Sequence, residues 1–254
     1  MVWMIFAYFF VIVLSLSLLY SSRVFQFGLL LLRFVSSNIS KTISNSKSKE
    51  KAIIILGPSG SGKTTFFYMI KNRKFQHTTI SMKSNVMELN FPENILLIDI
   101  PGNTRIAKNE ILRYIPITKA IIMMIDSTSK SSFKECAELL YFVICEVIAK
   151  SISYSRDAHK QIKSTPIFII CNKNDLSTSR NESYIKEEIE RIIDRIRNSQ
   201  SLLVEKNTLG DLDNPFNFDN LPNIKVSIFK TSLLEYNEDV MMAIQKCLNF
   251  NSIH

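Results

Sequence analysis

The sequence predicts an α/β domain, a mostly parallel six-stranded sheet with helices on both faces, preceded by one N-terminal transmembrane helix. Three observations predict it. Short apolar runs alternate with helix-length segments from residue 52 onward, the pattern of strand–helix–strand units. Those runs are continuous rather than alternating, as in Ala120-Ile121-Ile122-Met123-Met124-Ile125, which suits strands covered on both faces. A glycine-rich turn joins the first strand directly to the first helix, where an open sheet of this kind binds its ligand.

The 254 residues divide into an anchor and juxtamembrane segment (1–35), a linker (36–50) and one nucleotide domain (51–254). The composition, 46% hydrophobic and 21% charged, is that of a folded chain and excludes a repeat array or a wholly disordered one. The net charge is +8, yet no arginine stripe interleaved with aromatics and no nucleic-acid motif is present. Lys41, Lys47, Lys49 and Lys51 instead follow an apolar segment, which favours lipid headgroups over nucleic acid. The four cysteines, Cys136, Cys145, Cys171 and Cys247, show no CxxC spacing and read as small apolar residues.

Residues 1–22 carry no charged side chain and are long enough as a helix to cover a hydrocarbon core of roughly 30 Å. Trp3, Tyr8 and Tyr20 suit the interfaces. Arg23, Arg33 and the lysines lie after the span, so the positive-inside rule puts the remainder of the chain in the cytosol and the N-terminus in the lumen. A cleaved signal peptide would need a basic n-region, which is missing. Residues 24–35 prolong the helix or lie in the interface. Residues 36–49, rich in Ser, Asn and Lys, read as a flexible linker.

The strand 52–56 runs into Gly57-Pro58-Ser59-Gly60-Ser61-Gly62-Lys63-Thr64, which fits GxxxxGK[ST] between a strand and a helix at 64–73. Backbone amides of this loop would curl around phosphates at the helix N-terminus, with Thr65 beside them. Lys63 would reach the β- and γ-phosphates, and Thr64 would ligate Mg²⁺. Thr78, Thr79 and Ser81 lie in the polar stretch where a switch-I hydroxyl would complete the Mg²⁺ shell; the pattern does not choose among them. Strands at 85–90 and 95–100 follow. The second ends in Asp99-Ile100-Pro101-Gly102, a DxxG in which Asp99 would hold Mg²⁺ through water and the Gly102 N–H would meet the γ-phosphate.

Strand 120–126 and helix 131–150 come next. The stripe Leu139, Leu140, Phe142, Val143 and Val147 reads as core. Strand 166–172 leads to Asn172-Lys173-Asn174-Asp175, an NKxD. Its Asp175 carboxylate can accept from both N1–H and the exocyclic amine of guanine, a donor pair adenine lacks. The Lys173 stem would cover the base and Asn172 would brace the loop against the glycine-rich turn. With three such motifs in order, the ligand is GTP with Mg²⁺, and P-loop kinases and most ATPases are excluded. A helix at 182–198, a polar insertion of limited order at 199–223, a strand at 225–230 and a helix at 236–248 complete the domain. Thr231-Ser232-Leu233 falls where the last base-contacting loop belongs, with Ser232 and Leu233 as its contacts.

GTPases of this Ras-like class commonly carry glutamine after DxxG to orient the attacking water. Here Asn103 stands there, one methylene shorter, and hydrolysis is expected to be slow. Arg105 is either a compensating charge or a solvated arginine.

The anchor ahead of the P-loop, the proline inside Asp99-Ile-Pro-Gly102, the non-glutamine residue after it, Ala137-Glu138-Leu139-Leu140-Tyr141 and Phe216-Asn-Phe218-Asp-Asn-Leu221-Pro222 together resemble the beta subunit of the signal recognition particle receptor, an Arf-like GTPase. The resemblance runs from about Ala52 to the C-terminus. It departs at Asn103, where family members often have histidine, and at Thr-Ser-Leu, where they read Cys-Ser-Ala. It implies anchoring in the endoplasmic reticulum membrane and GTP-dependent recruitment of the receptor alpha subunit, whose N-terminal domain packs on the switch regions. Contact with the ribosome and the particle would be indirect, and nucleic acid would not be bound directly. The alternative is a cycling Arf- or Sar-type GTPase, or another membrane-tethered small GTPase, in vesicle traffic. Arf- and Sar-type proteins usually attach by an amphipathic helix or a myristoyl group, and no glycine stands at position 2.

Overall fold

The computed structural model describes residues 52–72, 74–91, 93–155, 164–201, 209 and 214–234. The expected membrane span, the linker and the expected helix 236–248 lie outside the described residues.

Within that set the elements run β1 (Ala52–Leu56), α1 (Lys63–Asn72), β2 (Asn85–Phe91), β3 (Glu93–Asp99), α2 (Thr104–Tyr114), β4 (Thr118–Asp126), α3 (Lys130–Ser155), β5 (Thr165–Asn172), α4 (Glu182–Ser201) and β6 (Ile224–Lys230). Short 3₁₀ turns occupy Ile115–Ile117 and Phe218–Asn220. The six strands form one sheet in the order β2-β3-β1-β4-β5-β6. Only β2 runs antiparallel, against β3. The sheet is therefore the mostly parallel one that the apolar runs imply.

Burial explains why those runs are continuous. In β1, Ala52, Ile54 and Leu56 join a core beneath α2, α3 and α4, while Ile53 and Ile55 join a second core beneath α1 with Phe66, Phe67 and Met69. Successive side chains of a strand face opposite sides, so a strand roofed twice has no polar position to offer. The helices are apolar on one stripe only: α4 buries Ile185, Ile189 and Ile193 at four-residue spacing. In α3 the stripe Leu139, Leu140, Val143 and Val147 is core, and Phe142 packs against its edge beneath the Lys108 ammonium, 5.5 Å from the ring. Cys136 and Cys171 are buried free thiols whose acidity burial suppresses, Cys171 being pushed up to about 12.

Two segments differ from the sequence expectation. Residues 104–114, where no helix is expected from the sequence, form α2, with Asn103 as its N-cap: the side-chain oxygen accepts from the N–H groups of Arg105 (3.1 Å) and Ile106 (3.4 Å). The described end of the 199–223 insertion is packed rather than loose. Phe216 and Phe218 are buried edge to face, and their N–H groups donate to Asp194 and Glu190 of α4, each at 3.0 Å. Arg197, 3% exposed, donates to Asp194 and to the carbonyl oxygens of Leu209 and Asn214. Polar composition hid this because two aromatics and one buried arginine organise the segment.

Candidate functional site

The loops at the carboxyl ends of β1, β3 and β5 line a cavity of about 410 Å³, formed by the glycine-rich loop, Phe75, residues 78–81, Pro101, Gly102, residues of the 172–176 loop and Leu233 and Leu234. The loop geometry follows from its glycines. Gly62 adopts φ +99°, and a Cβ there would collide with the Asn172 amide nitrogen. That amide donates to the Ser61 carbonyl (2.9 Å), while its oxygen accepts from the Leu233 N–H (3.3 Å). One side chain thus fastens the 57–64 loop to both of the other loops. Gly102 packs so close to Ser59 that a Cβ would come within 2.7 Å of the Ser59 backbone and 3.0 Å of the Lys63 ammonium.

Lys63 is 6% exposed, and its ammonium donates to the Pro58 carbonyl at 2.7 Å. Burial pushes its pKa down to about 8, against the pull of the Asp99 and Glu135 charges. A cation buried at such cost inside the glycine-rich loop is suited to an anion.

Thr64, Ser81 and Asp99 meet beneath it. The Thr64 hydroxyl donates to Asp99 Oδ2 (2.8 Å) and lies 3.0 Å from the Ser81 hydroxyl. Burial raises the Asp99 pKa, although hydrogen bonds from Asn85 and Thr64 and the Lys63 charge oppose it. Asp99 Oδ1 is buried with no hydrogen-bond partner. Hard oxygen donors around a bare carboxylate oxygen fit a small divalent cation. Of the three switch-I hydroxyls, Ser81 alone stands in this group. Thr78 bonds Thr65 (3.0 Å), and Thr79 is exposed on the cavity wall.

At the other end of the cavity, Asp175 Oδ1 accepts from the Ser232 hydroxyl at 2.6 Å, which fixes the plane of the carboxylate. Lys173 is held at φ +63°, and its ammonium reaches Asp126 at the end of β4 at 2.5 Å. Burial alone would raise the Asp126 carboxyl, but the Lys173 and Thr128 hydrogen bonds outweigh it and hold it below the usual range.

Comparison with known proteins supplies the family. Residues 48–232 match the family described as signal recognition particle receptor beta subunit. The chain belongs to this family. It is 27% identical over 206 residues to signal recognition particle receptor subunit beta of Rattus norvegicus, covering 76% of this chain and 72% of that one. The mammalian signal recognition particle receptor structure superposes with a TM-score of 0.63 at 24% identity, over 78% of this chain and all of the other. The SRb-GTP/SRX complex of the receptor from Chaetomium thermophilum superposes with a TM-score of 0.65 at 18% identity, over 78% and 99%. At those identities the structures speak for the fold, a G domain shared across this receptor family.

Several members of the site escaped sequence reasoning. Phe75, Ile80, Leu176 and Leu234 line the cavity, Asn85 bonds Asp99, and Asp126 bonds Lys173. Asp126 carried a faint signal, a carboxylate ending a buried strand as Asp99 does. Arg105, exposed at the start of α2, is not among the residues that line the cavity.

Proposed function

We propose that this chain is a GTP-binding subunit that anchors the signal recognition particle receptor alpha subunit at the endoplasmic reticulum membrane for co-translational targeting. The observation that carries it is the Ser232–Asp175 pair at 2.6 Å, which presents a fixed carboxylate at one end of a cavity whose other end is a phosphate loop with Lys63. A carboxylate able to accept from both N1–H and the exocyclic amine, in one cavity with a phosphate loop, suits a guanine nucleotide. Gly57–Thr65 would hold the phosphates, Thr64, Ser81 and Asp99 the magnesium ion, and Asn172, Lys173, Asp175, Ser232 and Leu233 the base. Magnesium supplies charge neutralisation between the terminal phosphates when bound.

The partner reading draws on exposed apolar side chains in the switch-I loop, on β2 and on α2. Ile80 and Met82 in the switch-I loop are 72% and 70% exposed, and Val86 on β2 and Leu112 on α2 are about half exposed. Apolar side chains left to solvent suit a protein partner, here the N-terminal domain of the alpha subunit. Residues 1–35 form the single-pass anchor with the N-terminus in the lumen, 36–50 the linker, and 51–254 the cytosolic G domain; ribosome and particle contacts are indirect. Hydrolysis is slow, because Asn103 is engaged as a helix cap.

The test is capture from detergent extract on residues 50–254 loaded with a non-hydrolysable GTP analogue or GDP, with Asp175→Asn as control. The alpha subunit is expected on the GTP form only. A vesicle coat or tether component retained without the alpha subunit would move the function to vesicle traffic.

A further inference from the structure

Asn85 opens β2 directly opposite Asp99 in the antiparallel register of β2 and β3. Directly opposed residues of such a pair project to the same face, so the register itself delivers the Asn85 amide to the carboxylate. Its nitrogen lies 3.0 Å from Asp99 Oδ2 and 3.4 Å from the Ser81 hydroxyl. Thr64 donates to the same Oδ2. Two donors therefore saturate one carboxylate oxygen, and the other, Oδ1, is left buried and without a partner. The preceding residue, Ser84, sends its hydroxyl elsewhere, to Glu110 of α2 at 2.8 Å.

We propose that Asn85 is a positioning residue for the divalent cation: its amide fixes the rotation of the Asp99 carboxylate, so that Oδ1 is the oxygen presented to the metal, and draws the Ser81 hydroxyl into the same shell. Partners of this kind set the orientation of a ligand without touching the ion, and their loss costs about 10- to 100-fold in metal affinity. The inference rests on the GTP–magnesium reading above. It adds that metal retention depends on the first residue of β2, outside every motif.

The test uses the full chain purified in detergent and loaded with a fluorescent GDP, whose release is followed against free Mg²⁺ concentration. In Asn85→Ala and Asn85→Leu the Mg²⁺ concentration giving half-maximal retention rises at least about tenfold. Release with the metal chelated stays at the wild-type rate, and Ser84→Ala, altered on the same strand, follows wild type throughout. An unchanged half-point in both Asn85 variants overturns the proposal. So does faster release by one common factor with and without metal, which marks a merely structural residue. A wild-type chain that retains no guanine nucleotide, or retains it regardless of Mg²⁺, overturns the nucleotide reading on which this one stands.

Discussion

Replacing Lys63 by methionine should make the nucleotide-free domain more stable while removing its ability to bind nucleotide. The ammonium is nearly fully buried, and its pKa falls from the ordinary 10.5 to about 8. At about 1.4 kcal/mol for each tenfold change in proton affinity, keeping it charged at neutral pH costs the empty domain about 3 kcal/mol. Methionine fills a similar volume but leaves the Pro58 carbonyl without its donor, a loss of about 1 kcal/mol. The net expectation is a gain of about 2 kcal/mol for Lys63→Met in urea unfolding of nucleotide-free protein at pH 7. The sign can be checked by pH. Between about 8 and 10.5 the unfolded chain holds the Lys63 proton and the folded chain does not, so wild-type stability gains from this group as pH rises. Cys136, Cys145, Cys171 and Tyr141, whose pKa values burial raises, lower the stability of both proteins over the same alkaline range. The readout is therefore the difference between variant and wild type, which should shrink as pH climbs from 8 toward 10.5. A variant no more stable than wild type at pH 7, or a difference flat with pH, would refute the argument that Lys63 is held charged at a cost.

Asn103→Ala should lower the stability of the domain by about 1 kcal/mol through loss of the α2 cap, with single-turnover GTP hydrolysis changed less than about threefold; a much larger kinetic loss would make Asn103 a water-orienting group. Asp126→Asn should speed GDP release several-fold by freeing Lys173. Because the Asp126 carboxyl is held below its usual value, its contribution is present near neutrality and lost as pH falls through the lowered value, so wild type and variant should converge in acid denaturation. Gly102→Ala forces its new methyl group against the Ser59 backbone and should raise the GTP dissociation rate more than the GDP rate in stopped-flow release; equal effects would show that Gly102 does not monitor the terminal phosphate.

The sheet was legible because its strands are roofed on both faces, so each reads as an unbroken apolar run such as 120–125 or 166–171. The loops were legible because phosphate and base recognition constrain neighbours in sequence: 57–64, 99–102 and 172–175. What escaped depends on pairs far apart in the chain. Asn85 is an ordinary polar residue until the β2–β3 register sets it against Asp99, and Asp126 is only the last residue of a strand until Lys173 adopts its left-handed backbone. Helix α2 escaped because only Ala107 and Ile111 among its residues are fully buried, too narrow a stripe to announce a helix. The order of 214–222 escaped because its packing rests on Phe216, Phe218 and the buried Arg197 rather than on periodicity.

The clasp at Asn172 also sets a timetable for synthesis. Its amide joins Ser61, 111 positions earlier, to Leu233, 61 positions later, so the pocket closes only when residue 233 has left the ribosome. At roughly 5–20 residues per second, on the order of 10–30 s separates emergence of the glycine-rich loop from emergence of Leu233. Throughout that interval the loop exists without the partners that shape it. Stalled nascent chains ending at residue 200 should therefore retain no guanine nucleotide, whereas full-length chains extended by a tunnel-spanning linker should. Nucleotide then enters only after synthesis has passed the third loop, and its retention marks a chain whose distant loops have met.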